Sequence, residues 1–169
     1  MAALYEKEIV NGKSDTEYGP EQQVTRAEFA AFLARTFGLE QKEYQGIFQD
    51  VPKQAWYAGI VQAVYDSGIF AGDGENFRPE DPITRAEAAK TLVNAAETLG
   101  TMALTDAGIS QFADSADIPS WAAEQVGKAA GASWISGMPD GGFYPNKQLT
   151  RAEAAVMLYH VIETEGNKE

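Results

Sequence analysis

The sequence predicts a mainly α-helical protein made of three helix-loop-helix repeats that pack on one another as a single body. Three observations carry the prediction. The tetrapeptide Thr-Arg-Ala-Glu occurs at Thr25 to Glu28, Thr84 to Glu87 and Thr150 to Glu153. Each copy is preceded by a glycine, a polar loop, an aromatic residue, one further residue and a proline, with Gly-to-Pro spacings of eight, seven and eight from Gly12, Gly72 and Gly137. After each copy, apolar residues recur at intervals of three and four, the period of a helix with one buried face.

The tetrapeptide is a helix start. Thr followed three residues later by Glu is a capping box, in which the Thr hydroxyl accepts from the amide of Glu and the carboxylate turns back to the amide of Thr. That accounts for Thr and Glu but not for Arg26, Arg85 and Arg151. A cation at the first helical position meets the positive end of the helix dipole and costs roughly 0.3–1 kcal/mol. Two readings of the repeated arginine stand open: pairing with a neighbouring acidic residue, or a site for an external anion made from the guanidinium and the exposed helix amides. On the second reading, replacing Arg85 and Arg151 with Ala is expected to leave folding intact.

The capped helices bury Phe29, Phe32, Leu33 and Phe37 in the first repeat, Ala88, Leu92, Val93 and Ala96 in the second, and Ala154, Met157, Leu158 and Ile162 in the third. Upstream, the second and third repeats open with Phe48-x-Asp50 and Phe112-x-Asp114, then a Trp at the start of a first helix, Trp56 and Trp121. Trp56, Ile60 and Val64 are spaced to line one face, with Gly68 as the C-cap. The repeats are expected at residues 1–40, 47–100 and 111–165. The first lacks the Phe-x-Asp and the Trp, and only Leu4, Tyr5 and Ile9 remain of its first helix. Two helices of this length cannot bury their faces alone, so the repeats must share one interior. The connector from Thr101 to Ile109 has room for one more helical turn.

Composition narrows the partners. The 169 residues carry a net charge of −12, which argues against nucleic acid. There is no cysteine, hence no disulfide or thiolate metal site. No run approaches the ~18 apolar residues of a membrane span, and the first residues show no basic region followed by an apolar core. An exported parent would therefore have this chain as a piece of it, without the leader. The loops 73–76 and 139–142 hold carboxylates and glycines without the ordered alternation of a calcium loop, so no metal and no cofactor is expected. His160, the single histidine, sits among apolar neighbours and reads as structural, and no catalytic pair of carboxylates can be placed across a substrate.

Taken together, Phe-x-Asp-Val-Pro, the Trp that opens a helix, the glycine loop, Phe-x-Pro and Ile-Thr-Arg-Ala-Glu resemble the S-layer homology repeat over nearly the whole chain. The resemblance implies a pseudo-threefold helical spindle and non-covalent attachment of an exported protein to the bacterial cell wall. The implied ligand is a secondary cell-wall polysaccharide with pyruvate ketals, or peptidoglycan and its linked polymers, held in grooves between adjacent repeats. The motif arginines would hold the ketal carboxylate, which maps the role onto Arg26, Arg85 and Arg151. Arg85 and Arg151 are expected to rank above Arg26, because the first repeat is incomplete. Other candidates each have a plainer reading beside the ligand one. Trp56 and Trp121 are core residues or sugar platforms. Asp50 and Asp114 are turn residues, or partners of an arginine or a sugar hydroxyl. Gly12, Gly72 and Gly137 serve backbone geometry or close ligand approach. Trp134 is expected to add an aromatic near the third loop. The alternatives in function are a structural module of a surface layer, or the anchor of a wall-bound hydrolase whose catalytic part lies elsewhere. A homodimer through the truncated front of the first repeat is the remaining partner expectation.

Overall fold

A computed structural model describes residues 19–166. Among these the regular elements are five α-helices and one 3-10 turn, with no strand beyond isolated bridges. The helices are α1 Arg26–Thr36, α2 Ala58–Asp66, α3 Arg85–Thr98, α4 Ser120–Gly131 and α5 Arg151–Gly166, and the 3-10 turn Ser115–Asp117 precedes α4. The short first helix, Gly12 and Tyr18 lie outside the described residues.

All three capping boxes form. Thr25, Thr84 and Thr150 accept from the amides of Glu28, Glu87 and Glu153, and the three carboxylates return to the threonine amides at 2.9–3.0 Å. The opposite ends close on a left-handed residue. Gly68 (φ 69°) ends α2 and Ser133 (φ 60°) ends α4, and the next amides, Ile69 and Trp134, reach back to Val64 and Ala129. Glycine takes this conformation freely, whereas Ser133 holds it against the usual steric cost.

At the centre the three repeats close in a ring. Each apolar residue before a threonine passes one backbone hydrogen bond to the next. The Val24 amide donates to Leu149, the Leu149 amide to Ile83, and the Ile83 amide to Val24, all within 2.9–3.0 Å, and all three side chains are buried. The same cyclic order governs the helix starts. The amides of Arg26 and Ala27 donate to the Asp81 and Pro79 carbonyls, those of Arg85 and Ala86 to Lys147 and Pro145, and those of Arg151 and Ala152 to Gln22 and Pro20. Each Pro turn thus caps the helix of the preceding repeat, and the pseudo-threefold spindle is built from these junctions.

Helix pairing also runs between repeats. The first helices of the second and third repeats do not lie on the capped helix of their own repeat; α2 packs on α1, and α4 packs along α3. The connectors hold these pairs together. Residues 105–108 lie on α4 where Gly127 and Gly131 leave room, and the chain there forms no helical turn although its length allowed one. Phe77 and Phe143, the aromatic residues of the loop pattern, plug the interior beneath their loops.

Candidate functional site

Each motif arginine points into a junction between repeats, and none is solvated. Arg26, Arg85 and Arg151 are 3%, 7% and 3% exposed. Arg26 donates from Nε to the Phe77 carbonyl at 2.8 Å and from Nη1 to Glu87 Oε1 at 2.7 Å, with its guanidinium over the Phe70 ring. Arg85 donates from Nε to the Phe143 carbonyl at 2.7 Å and from Nη2 to that of Ser136 at 2.9 Å. Arg151 reaches Glu28 Oε1 at 3.4 Å and lies over the Phe32 ring. Residues 8–13, the sequence counterparts of 68–73 and 133–138, lie outside the described residues.

This geometry resolves the unfavourable cation at the helix start. The guanidinium bends away from its own dipole to carbonyls and a carboxylate of the next repeat, and burial holds Arg26 and Arg85 below the ordinary arginine range. It also corrects two expectations. The first two helix amides already donate to Pro-turn carbonyls and so offer no donors to an anion. Removing an arginine would also strip bonds that join repeats, so Ala at these positions is not neutral for folding.

Two clefts related by the pseudo-threefold open at these junctions. The larger, about 710 Å³, is lined by Arg26, the loop from Gly68 to Asp73, Arg78, Glu87, Lys90, Thr91, Asn94 and Trp121. It draws on all three repeats: Arg26 from the first, the loop and α3 from the second, Trp121 from the third. Glu87 is its electrostatic pivot. Oε2 closes the capping box, and Oε1 accepts from Arg26 Nη1 and from Arg78 Nη2 at 2.6 Å, so two cations share one carboxylate oxygen. Lys90 lies over the Trp121 ring at 5.2 Å.

The smaller cleft, about 300 Å³, places Arg85 with the loop from Ser133 to Met138, Ala152, Glu153, Val156, Met157 and His160. Here Glu153 Oε1 is taken by Lys147, and Arg85 forms no ion pair among the described residues. By the repeat pattern Val156, Met157 and His160 stand where Lys90, Thr91 and Asn94 stand in the first cleft.

The remaining sequence candidates separate clearly. Trp56 and Trp121 are 57% and 48% exposed, so the core reading fails for both. Trp121 lines the large cleft, while Trp56 lies before α2, edge-on to Tyr57, and does not extend the Ile60 and Val64 face. Asp50 accepts from the amides of Phe77 and Arg78 at 2.8 and 2.7 Å, and Asp114 from those of Phe143 and Tyr144 at 2.6 Å. Each carboxylate thereby pins a Phe-x-Pro turn whose middle residue, Arg78 or Tyr144, is left-handed. Gly72 lines the large cleft, but a Cβ there would meet the Phe48 ring and the Asn76 carbonyl, so close packing already requires glycine. Gly137 is less crowded, its nearest neighbour being the Gly141 carbonyl at 3.3 Å. Trp134 presents no extra aromatic: it is 1% exposed and its indole N–H donates to Thr164.

Arg78, Lys90 and Asn94 escaped the sequence reading. Aligning the three repeats would have exposed them, since Gly19 and Tyr144 stand at the Arg78 position and Ala31 and Val156 at the Lys90 position. No helix among the described residues is long and apolar enough to cross a membrane.

Comparison with known proteins agrees with this architecture. The family model described as the S-layer homology domain matches residues 1–30, 47–89 and 111–155. Amylopullulanase from Thermoanaerobacterium thermosulfurigenes is 40% identical over 167 residues, 99% of this chain but 9% of that protein. S-layer protein EA1 from Bacillus anthracis is 32% identical over 168 residues, 98% of this chain and 19% of its own length. The cellulosome-anchoring protein of Acetivibrio thermocellus is 29% identical over 153 residues, 86% of this chain and 33% of its own. The chain thus spans only a small part of the relatives it matches.

Proposed function

This chain belongs to the S-layer homology domain family, and we propose that it is a non-covalent anchor that holds an exported protein on the bacterial cell wall by binding wall polysaccharide between its repeats. The ligand group is an acid substituent such as a pyruvate ketal, and the principal site is the cleft at Arg26. The observation that carries this reading is the gathering there of Arg26, Arg78, Lys90 and Trp121 in a chain of net charge −12. Arg26 and Arg78 converge on one oxygen of Glu87, with Asp81 3.9 Å from Arg78 and Asp73 also in the lining, and Lys90 is the cation that these carboxylates leave without an ion pair. An incoming carboxylate can join the group through charge-assisted bonds. Trp121 and the apolar loop offer surface to the methyl of a ketal and the apolar face of a sugar.

The expected ranking of Arg85 above Arg26 is reversed in this proposal, because the Arg85 cleft is smaller and lined by Val156 and Met157. The chain carries no catalytic role here; the activity named for relatives such as amylopullulanase is assigned to their remaining length. A second reading has its own support: the bonds of Arg26 and Arg85 to carbonyls of the next repeat suit a module that only assembles.

Titration with a wall disaccharide bearing one pyruvate ketal, against its ketal-free counterpart, separates the two. A preference of at least roughly tenfold, about 1.4 kcal/mol, is expected for a carboxylate site. Asn94→Trp fills the Arg26 cleft without touching the arginine bonds and should abolish that binding while the thermal transition stays in place. Equal affinity for both sugars would leave the assembly reading.

A further inference from the structure

One cation in the large cleft is not accounted for by a single acid group. Lys42, Lys128 and Lys147 each meet a carboxylate, whereas Lys90 and the exposed Lys53 form no ion pair among the described residues, and of these two only Lys90 lines the cleft. With 25 acidic residues against 13 basic ones, an unmatched ammonium in a cleft is unexpected. Its contact is the face of Trp121, which orients the charge without neutralising it. Lys90 follows Glu87 by three residues on α3, a little under one helical turn and about 4.5 Å along the axis. It therefore lies beside the arginine pair and is not a third member of it. The other repeats place Val156 and Ala31 at this position, so the feature belongs to this cleft alone.

We propose that Lys90 is a specificity-determining second anion contact, and that the Arg26 cleft selects an oligosaccharide with acid groups on two neighbouring sugars. The first acid group meets Arg26 and Arg78; the second meets Lys90. Trp121 acts on the second as a positioning residue. Its ring holds the ammonium over the cleft, and its place in the third repeat makes the selection depend on α4 lying along α3. The inference rests on the anchoring function proposed above and adds to it the charge pattern of the ligand.

The test uses two synthetic wall disaccharides, ketalated on one sugar or on both, titrated by calorimetry at one fixed salt concentration. The protein should prefer the doubly ketalated sugar by about tenfold, the discrimination one charged hydrogen bond supplies. Lys90→Met should bring that ratio to about one, and Trp121→Ala should do the same, with Trp121→Phe restoring part of it because a ring remains to orient the ammonium. Unchanged melting of Lys90→Met verifies the fold. A protein that binds both sugars equally, or a ratio that survives Lys90→Met, overturns this inference and leaves the anchor standing. A protein that binds neither sugar overturns both.

Discussion

The clefts at Arg26 and Arg85 occupy equivalent places in a pseudo-threefold body, yet they differ in almost every group that could touch a ligand. The shared parts are structural: a guanidinium on the carbonyl of a buried Phe, a capping-box glutamate, and a Pro turn pinned by Asp50 or Asp114. The differing parts are Arg78 against Tyr144, Lys90 against Val156, Thr91 against Met157 and Asn94 against His160. The lesson is that the repeated motif builds the junction, and the unrepeated residues around it give each junction its chemistry. Each cleft has its own motif arginine, Arg26 in one and Arg85 in the other, so that residue alone cannot make one a better site than the other.

Stability measurements can break that comparison first at the arginines. Arg26→Ala removes one of the two cations on Glu87 Oε1 and the bond to the Phe77 carbonyl, while Arg78 stays on Glu87, and should cost about 3 kcal/mol. Arg85→Ala removes bonds to two carbonyls but no ion pair, and should cost less, about 2 kcal/mol. Urea denaturation of the two variants would show the gap, and equal losses would mean that the ion pair at Arg26 adds nothing.

The loops come next. Gly72→Ala would drive a Cβ into Phe48 and a carbonyl, which should cost about 1–3 kcal/mol. Gly137→Ala meets the Gly141 carbonyl at 3.3 Å, a tight contact without the overlap found at Gly72, and its cost should stay below about 1 kcal/mol. Similar melting temperatures for these variants would contradict the packing described for the two loops. Thr84→Ala and Thr150→Ala sharpen the comparison from the other side, because their caps are alike. Each should lose about 1 kcal/mol, and a clear difference between them would show the helix starts to be less equivalent than their hydrogen bonds.

The smallest effect is on pH dependence. Burial pushes the Glu153 carboxyl up, but the Lys147 hydrogen bond, the Thr150 amide and the charges of Lys147 and Arg85 together hold it below the ordinary glutamate value. A carboxyl lowered by folding contributes stability above its unfolded value, about 4.3, and loses it as pH falls through the folded value. Glu153→Gln should therefore flatten the acid limb of the stability curve below about pH 4.3. A steeper limb in the variant would reverse the sign.

How much of this was legible beforehand follows from what each residue reports. Thr25, Thr84 and Thr150 announced three helix starts because a capping box is local, complete within four residues. Gly68 announced a helix end for the same reason. The pairing of α2 with α1 and α4 with α3 was not legible, since periodicity marks a buried face without naming what covers it. Trp56 was misjudged on spacing: it falls in register with Ile60 and Val64, but α2 begins only at Ala58. Arg26 was judged by its own helix, whereas its partners, Phe77 and Glu87, lie in the next repeat.

The closed circuit of Val24, Ile83 and Leu149 has a consequence for how such a module can change over time. A linear array gains or loses units at its ends, because each unit touches only its neighbours. Here deletion of one unit would leave a buried amide and a buried carbonyl with nothing to meet, and a fourth unit would find no opening to enter. Copy number is therefore set by geometry at three, and expansion must proceed by adding whole triplets.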